Sequence, residues 1–86
     1  IVFSSKGVLF FADSGNSLIR TISNGVITTI AGVPNNFSYN GNNISALQAN
    51  LGEPKSLIFD QNEENLYFVD SSFCIIRKIN FKTNLV

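Results

Sequence analysis

The chain has 86 residues, with six basic and six acidic side chains, so its formal net charge is zero. Nucleic-acid-binding proteins normally have an excess of basic residues on one face, and this chain has no such excess. It contains no histidine, the commonest general base and metal ligand, and its single cysteine, Cys74, cannot form an internal disulfide. The hydrophobic fraction of 44% predicts one small packed domain without a membrane span, since no apolar run reaches about 18 residues. We expect no metal and no cofactor.

Short apolar stretches separated by turn residues make up the first part of the chain. Residues 1–3, 8–12, 17–23 and 26–31 predict strands, and the continuous apolar run 8–12 is typical of a strand buried on both faces. Asn24 and Gly25 favour a type I′ hairpin, because both central residues of that turn need positive φ. Residues 1–31 therefore predict a four-stranded antiparallel meander.

A long connection rich in asparagine and glycine follows, over residues 32–53. Its last part has better helix formers and predicts one or two helical turns, which Ser45 could cap. Further strands are predicted at 55–59, 66–69 and 74–81, and residues 85–86 begin a fourth. Residues 54–86 thus predict a second meander.

The second meander repeats the first. The segment LFFADSGNSLIRTI, residues 9–22, recurs 57 positions later as LYFVDSSFCIIRKI. The identical pairs are Leu9/Leu66, Phe11/Phe68, Asp13/Asp70, Ser14/Ser71, Ile19/Ile76, Arg20/Arg77 and Ile22/Ile79. Self-similar strands at a constant offset are typical of repeat architectures, whose units stack on one another.

Aspartate and arginine are the most conspicuous polar residues of this repeat. Asp13, Asn16 and Arg20 stand in the first copy, and Asp70 and Arg77 in the second. They could form a ligand or ion site. We favour a structural role, capping turns and bonding backbone, because both copies keep the positions. Without histidine, a Ser–His–Asp or Cys–His arrangement is impossible within this chain, and we expect no enzymatic activity.

Other side chains have simpler interpretations. Cys74 lies in an apolar run and is interpreted as a small buried hydrophobe. Glu63 and Glu64 lie in a predicted hairpin turn, where we expect them to be solvated. Asn36 and Asn43 each begin an N-x-Ser triplet in the connection, so they predict N-linked glycans if the protein is secreted and turn asparagines if it is cytosolic.

Taken together, the motifs LFFADSGNSLIRTI, NGVITTIAG, ALQANLGEP and SLIFD resemble NHL repeats, the blades of a six-bladed β-propeller family. The resemblance implies two consecutive four-stranded blades at 1–31 and 54–86, joined by 32–53. The second copy departs from the pattern, because Ser72 and Phe73 stand where the first has Gly15 and Asn16. This departure predicts an altered turn and an exposed aromatic ring.

The resemblance implies a non-catalytic module that binds partners, usually proteins, through its loop faces. Two blades leave two apolar faces open, so we expect either assembly with copies, including fibre or surface-coat assembly, or a longer polypeptide. We favour a longer extracellular or cell-surface protein, since both ends fall inside predicted strands. The alternatives are a fragment of a propeller enzyme, of lyase or lactone-hydrolase type, with its catalytic residues elsewhere, and an RNA-binding propeller, which the net charge disfavours.

Overall fold

The computed structural model, which describes residues 1–34, 39–41 and 43–86, is all-β and contains two antiparallel sheets. The first sheet contains β1 (Val2–Phe3), β2 (Leu9–Asp13), β3 (Leu18–Ser23) and β4 (Val26–Ala31), in chain order. The second contains β5 (Pro54–Phe59), β6 (Asn65–Asp70) and β7 (Ile75–Asn80). The predicted all-β class and the first four-stranded meander are confirmed.

The hairpin between β3 and β4 has the predicted geometry. Asn24 and Gly25 both have positive φ, 51° and 76°, and Ser23 pairs with Val26 across them. The prediction that β2 is buried on both faces is wrong, because every residue of β2 is only half-buried. Phe10 and Ala12 pack against the core, whereas the alternate residues of β2 point to the other face of the sheet.

The predicted fourth strand of the second sheet does not form. Leu85 makes single bridges with Asn80 and with Ser45. The Asn80 N–H donates to the Leu85 carbonyl at 2.9 Å and the Val86 N–H donates to the Ile44 carbonyl at 3.0 Å, so residues 85–86 touch the end of β7 by one bridge and otherwise pair with the connection. The second sheet therefore has three strands, and the expectation of two four-stranded sheets is wrong.

The core lies between the two sheets and the connection. Its buried members are Ile19, Ala31, Ala46, Ala49, Leu51, Leu57, Leu66, Phe68 and Ile79. An aromatic cluster closes one end, where the Phe10 and Phe59 rings meet edge to face with centroids 5.0 Å apart and Phe81 packs against both. One apolar face of each sheet is thereby removed from water.

Within its described residues, the connection contains a single 3₁₀ turn, Ala46–Gln48. Ser45 precedes it but makes no side-chain cap hydrogen bond, so the predicted capping role is wrong. Gly32, with φ of +103°, donates its N–H to the Ala46 carbonyl at 3.0 Å. A Cβ at Gly32 would overlap the Ser17 carbonyl oxygen, so the close approach of the backbone after β4 to the start of β3 requires glycine.

The turn before β7 shares only its left-handed end with its first-sheet counterpart. The first-sheet turn is a 3₁₀ helix, Ser14–Asn16, in which the Ser17 N–H donates to the Ser14 carbonyl, whereas in the second turn the Phe73 N–H donates to the Asp70 carbonyl. The second turn ends at Cys74 with φ of 58°, and the equivalent Ser17 has φ of 60°, so the substitutions at Ser72 and Phe73 leave the left-handed end of the turn unchanged. Phe73 is half-buried against the Tyr39 ring, 5.3 Å away, and is not fully exposed as expected. Cys74 is exposed, which corrects its interpretation as a buried hydrophobe.

Glu63 connects the two sheets at their turns. Its carboxylate accepts hydrogen bonds from the Ser5 N–H, at 2.8 and 3.1 Å, and from the Ser5 hydroxyl. Glu63 is therefore half-buried and bonded, where we expected a solvated side chain, whereas Glu64 is exposed as expected.

Candidate functional site

Asp70, at the end of β6, is fully buried at 0% exposure. Its carboxylate accepts hydrogen bonds from the backbone N–H groups of Gly52, at 2.9 Å, and Glu53, at 3.1 Å. Two consecutive amides of the connection thus converge on one carboxylate. Hydrogen bonds to a charged group of this kind are the stronger ones in proteins.

Arg77, on β7, holds the same connection through carbonyl groups. Its guanidinium donates to the Asn50 carbonyl at 3.2 Å and to the Gly41 carbonyl at 2.9 Å. It also lies 3.8 Å from the Asp70 carboxylate and 5.3 Å from the centre of the Tyr39 ring. Asp70 and Arg77 together bind both the donors and the acceptors of the connection backbone, and we name them the closed clamp.

Burial changes the electrostatics of the closed clamp. Desolvation lowers the pKa of Arg77, and the negative charge of the Asp70 carboxylate acts in the opposite direction. Guanidinium remains protonated through the physiological range because its ordinary pKa is so high. The two carbonyl groups and the nearby carboxylate therefore replace part of the water that this cation loses, whereas the buried Arg77 Nε has no hydrogen-bond partner among the described residues.

The equivalent pair in the first sheet, Asp13 and Arg20, has a different environment. The Asp13 carboxylate lies 3.4 Å from the Arg20 guanidinium, but the side chains are 24% and 31% exposed. Within the described residues, Asp13 otherwise accepts hydrogen bonds only from the Asn16 side chain, at 3.1 Å. No segment of the described chain covers this pair as the connection covers the closed clamp.

The apolar residues around the two aspartate–arginine pairs also differ in burial between the two sheets. Leu66, Phe68 and Ile79 of the second sheet are at most 1% exposed. Their equivalents in the first sheet, Leu9, Phe11 and Ile22, are half-buried. We name Asp13 and Arg20, with these three neighbours, the open clamp.

The remaining predicted site residues lie apart from the clamps. Asn43 is exposed, with φ of 58°, and its N–H donates to the Val86 carbonyl. Asn36 falls outside the described residues. Among the described residues, no three His, Cys, Asp or Glu side chains gather as a metal ion would need. None of the helices in that part of the chain is long and apolar enough to cross a membrane.

Sequence reasoning missed the residues that the closed clamp holds. Gly41, Asn50 and Gly52 take part through backbone atoms, which leave no side-chain signature in a sequence. Gly52 offered one usable signal, since it is a glycine two residues before a proline in a connection that must approach the next sheet closely.

Comparison with known proteins does not supply a family for this chain. It matches no protein-family model, and no curated protein matches it. Its function is therefore inferred from the two sheets and the two aspartate–arginine pairs.

Proposed function

We propose that this chain is a non-catalytic structural and interaction module, formed by two consecutive blades of an NHL-like β-propeller. The observation that carries the proposal is an apolar face on the second sheet that remains open. Ile58 is 63% exposed there, Val69 is 38% exposed and Ile76 is 76% exposed. The register places all three on one face, because Val69 pairs with Ile76 and Ile58 pairs with Tyr67.

The sequence repeat indicates what covers this face. Val69 and Ile76 are the equivalents, 57 positions on, of Ala12 and Ile19. In the first sheet, Ile19 is fully buried and Ala12 packs against the core between the sheets. The first sheet thus uses this face to receive the next sheet, and we infer that the second sheet receives a further sheet in the same way.

The further sheet comes either from a longer polypeptide or from another copy of the chain. Contiguous exposed apolar surface is a mark of protein–protein contact sites, and the open face fits stacking of this kind. We propose a larger extracellular protein that also binds protein partners through the loops at the ends of its sheets, because loops on a rigid scaffold carry recognition.

Stacking is tested by sedimentation equilibrium of the 86-residue chain over a wide concentration range. We expect concentration-dependent association, and Ile76→Lys should weaken it, since a charge at the centre of an apolar contact stays unpaired. Val26→Lys is the matched control, because Val26 is also exposed, at 62%, but lies on β4. A wild-type chain that stays monomeric would exclude stacking between copies, and equal effects of the two variants would contradict stacking through this face.

The extracellular setting is tested through Asn43. We expect the protein from its native source to have a mass above 9.4 kDa that falls when N-linked sugar is removed. Exposure of Asn43 on the connection leaves the acceptor accessible. A mass that does not change on deglycosylation would refute the glycan.

A further inference from the structure

We infer that Asn24 is a site of spontaneous deamidation, in which water is the co-reactant and the product is aspartate or isoaspartate. The inference goes beyond the proposed function and does not depend on it. Its basis is a contrast inside the chain, which contains two Asn-Gly pairs, Asn24–Gly25 and Asn40–Gly41, in opposite surroundings. Glycine after asparagine favours the reaction, because it has no side chain to hinder attack by its backbone nitrogen.

The reaction needs a free side-chain amide on the asparagine and a free backbone N–H on the next residue. The Gly25 nitrogen attacks the Asn24 Cγ atom, the new N–Cγ bond forms, the Cγ–Nδ2 bond breaks, and ammonia leaves with the Gly25 proton. Water then opens the resulting succinimide ring at either carbonyl carbon. Opening at Cγ leaves aspartate, and opening at the main-chain carbonyl carbon leaves isoaspartate, whose backbone runs through Cγ.

Asn24 meets these requirements at the tip of the β3–β4 hairpin. Asn24 and Gly25 are both exposed. Within the part of the chain that the structure describes, the Asn24 side chain and the Gly25 N–H have no hydrogen-bond partner. A Cβ placed on Gly25 meets nothing within 4 Å, so open space adjoins the attacking residue.

The attack also requires the tip of the hairpin to open, because the turn fixes the backbone of Asn24. Ser23 and Val26, the pair that closes the turn, are themselves exposed. Opening of an exposed turn costs little free energy, since few buried contacts are lost. Asn24 therefore reaches the reactive conformation without unfolding of the core.

Exposure of this turn does not depend on what lies beside β4. The turn at the equivalent place of the second copy, residues 81–84, is bonded to the connection, because the Ala46 N–H donates to the Asn84 carbonyl at 2.7 Å. Lys82 and Thr83 of that turn nevertheless remain exposed. A segment beside β4 would leave the tip of its hairpin accessible in the same way.

Asn40 has the same sequence signal, but both ends of its side-chain amide are held. Its Nδ2 donates to the Gln48 carbonyl at 2.9 Å, and its Oδ1 accepts from the Asn50 N–H at 2.9 Å. The carbonyl of the following Gly41 accepts from the buried Arg77 at 2.9 Å. Both bonds of the amide must break before Cγ can turn toward the Gly41 nitrogen, so the folded connection protects Asn40.

The two products change the hairpin differently. Isoaspartate adds a carbon to the turn backbone, so the type I′ geometry that pairs Ser23 with Val26 is lost. Aspartate keeps that geometry, since Asp-Gly also favours a type I′ turn. Either product adds one negative charge to a chain whose formal net charge is zero.

The test is incubation of the 86-residue chain near neutral pH and body temperature, with circular dichroism to verify that it stays folded. Peptide mapping with fragmentation then locates aspartate and isoaspartate at each asparagine. We expect Asn24 to convert roughly tenfold or more faster than Asn40, because two hydrogen bonds hold the Asn40 amide. In urea the two rates should become similar, since both asparagines precede glycine and the folded contacts are gone.

Asn24→Asp keeps a type I′ turn and should remove most of the ammonia that the folded chain releases. Asn62→Asp is the matched control, because Asn62 is also exposed but precedes glutamate, and it should leave ammonia release unchanged. Equal rates at Asn24 and Asn40 in the folded chain, faster conversion of Asn40, or ammonia release that Asn24→Asp does not reduce would overturn the inference. Stacking is measured as mass and changed at Ile76, so either proposal can fail alone.

Discussion

Asp13 and Asp70 occupy equivalent positions in the two sheets, but their surroundings give them different energetic weight. Asp70 is fully buried beside a buried arginine and accepts two backbone amides. Asp13 is partly solvated beside a partly solvated arginine. Removing one partner of a buried ion pair leaves an uncompensated charge, whereas an exposed pair contributes little.

Asp70→Ala is therefore expected to lower the free energy of unfolding by about 3–5 kcal/mol. Asp13→Ala, the matched change in the first sheet, should lower it by about 1 kcal/mol or less. Urea unfolding followed by circular dichroism measures both. Equal losses would mean that the connection does not bury the closed clamp in solution.

Asp60 gives the chain a pH-dependent turn. The Asn65 side chain donates to its carboxylate at 2.9 Å, and this bond, with backbone amides of the same turn, lowers the pKa of Asp60 below its usual 3.8. A carboxyl whose folded pKa is lowered stabilises the fold above its unfolded pKa and loses that contribution as pH falls through the folded value. We expect the stability difference between wild type and Asp60→Asn to shrink below about pH 4.

NMR titration of the Asp60 carboxyl checks this directly. Glu64→Gln serves as the control, because its carboxylate is exposed and accepts no bond from the turn backbone among the described residues. A midpoint for Asp60 at or above the ordinary aspartate value would contradict the hydrogen bonding described.

At the scale of the element, the connection contributes to the core although its described part has little regular secondary structure beyond the 3₁₀ turn Ala46–Gln48. Its Ala49 and Leu51 side chains are buried in the core between the sheets, and its backbone amides donate hydrogen bonds to the closed clamp. A close backbone approach of this kind tolerates no side chain at Gly52.

Gly52→Ala should lower the free energy of unfolding by about 1–3 kcal/mol, the usual cost of overpacking a filled site. Gly15→Ala is the matched control, because a Cβ there meets nothing within 4 Å. Adding Ser72→Gly to Gly52→Ala should recover part of the loss, since it removes one of the two clashing groups. Chemical denaturation of the wild type and the three variants measures these differences, and equal effects of Gly52→Ala and Gly15→Ala would refute the packing described.

At the scale of the whole molecule, the two sheets are unequal although their sequences repeat. The second sheet buries its clamp face, and the first sheet leaves the equivalent face partly open. Phe68 is 1% exposed, whereas Phe11, at the same place in the repeat, is half-buried. A buried aromatic side chain stabilises the fold through van der Waals contacts on all sides, whereas a partly solvated ring makes fewer such contacts and stabilises the fold less.

Phe68→Ala is expected to lower the free energy of unfolding by about 3–5 kcal/mol. Phe11→Ala should lower the free energy of unfolding by less. The difference between the two variants should become smaller if a further sheet covers the first sheet. Thermal or chemical unfolding of both variants measures this. A larger loss for Phe11→Ala would reverse the assignment of the covered face.

The sequence by itself determined the local features of this fold. Alternating apolar runs and turn residues predicted the first meander, and the Asn24–Gly25 pair predicted its hairpin, because strand and turn preferences depend on neighbouring residues. The repeat also singled out the aspartate–arginine pairs. Local preference could not place Cys74 or Ser45 correctly, since their exposure and bonding depend on what packs against the turn.

Only the tertiary structure decided which pair is buried, what it binds and how residues 85–86 pair. Asp13 and Asp70 stand at equivalent places of a repeat with seven identical pairs, and the repeat by itself does not tell which aspartate is buried. Their difference comes from a connection, distant in sequence, that covers one sheet face and leaves the other open. Backbone amides and carbonyls make those contacts, and such groups are common to every residue, so the sequence could not name them in advance.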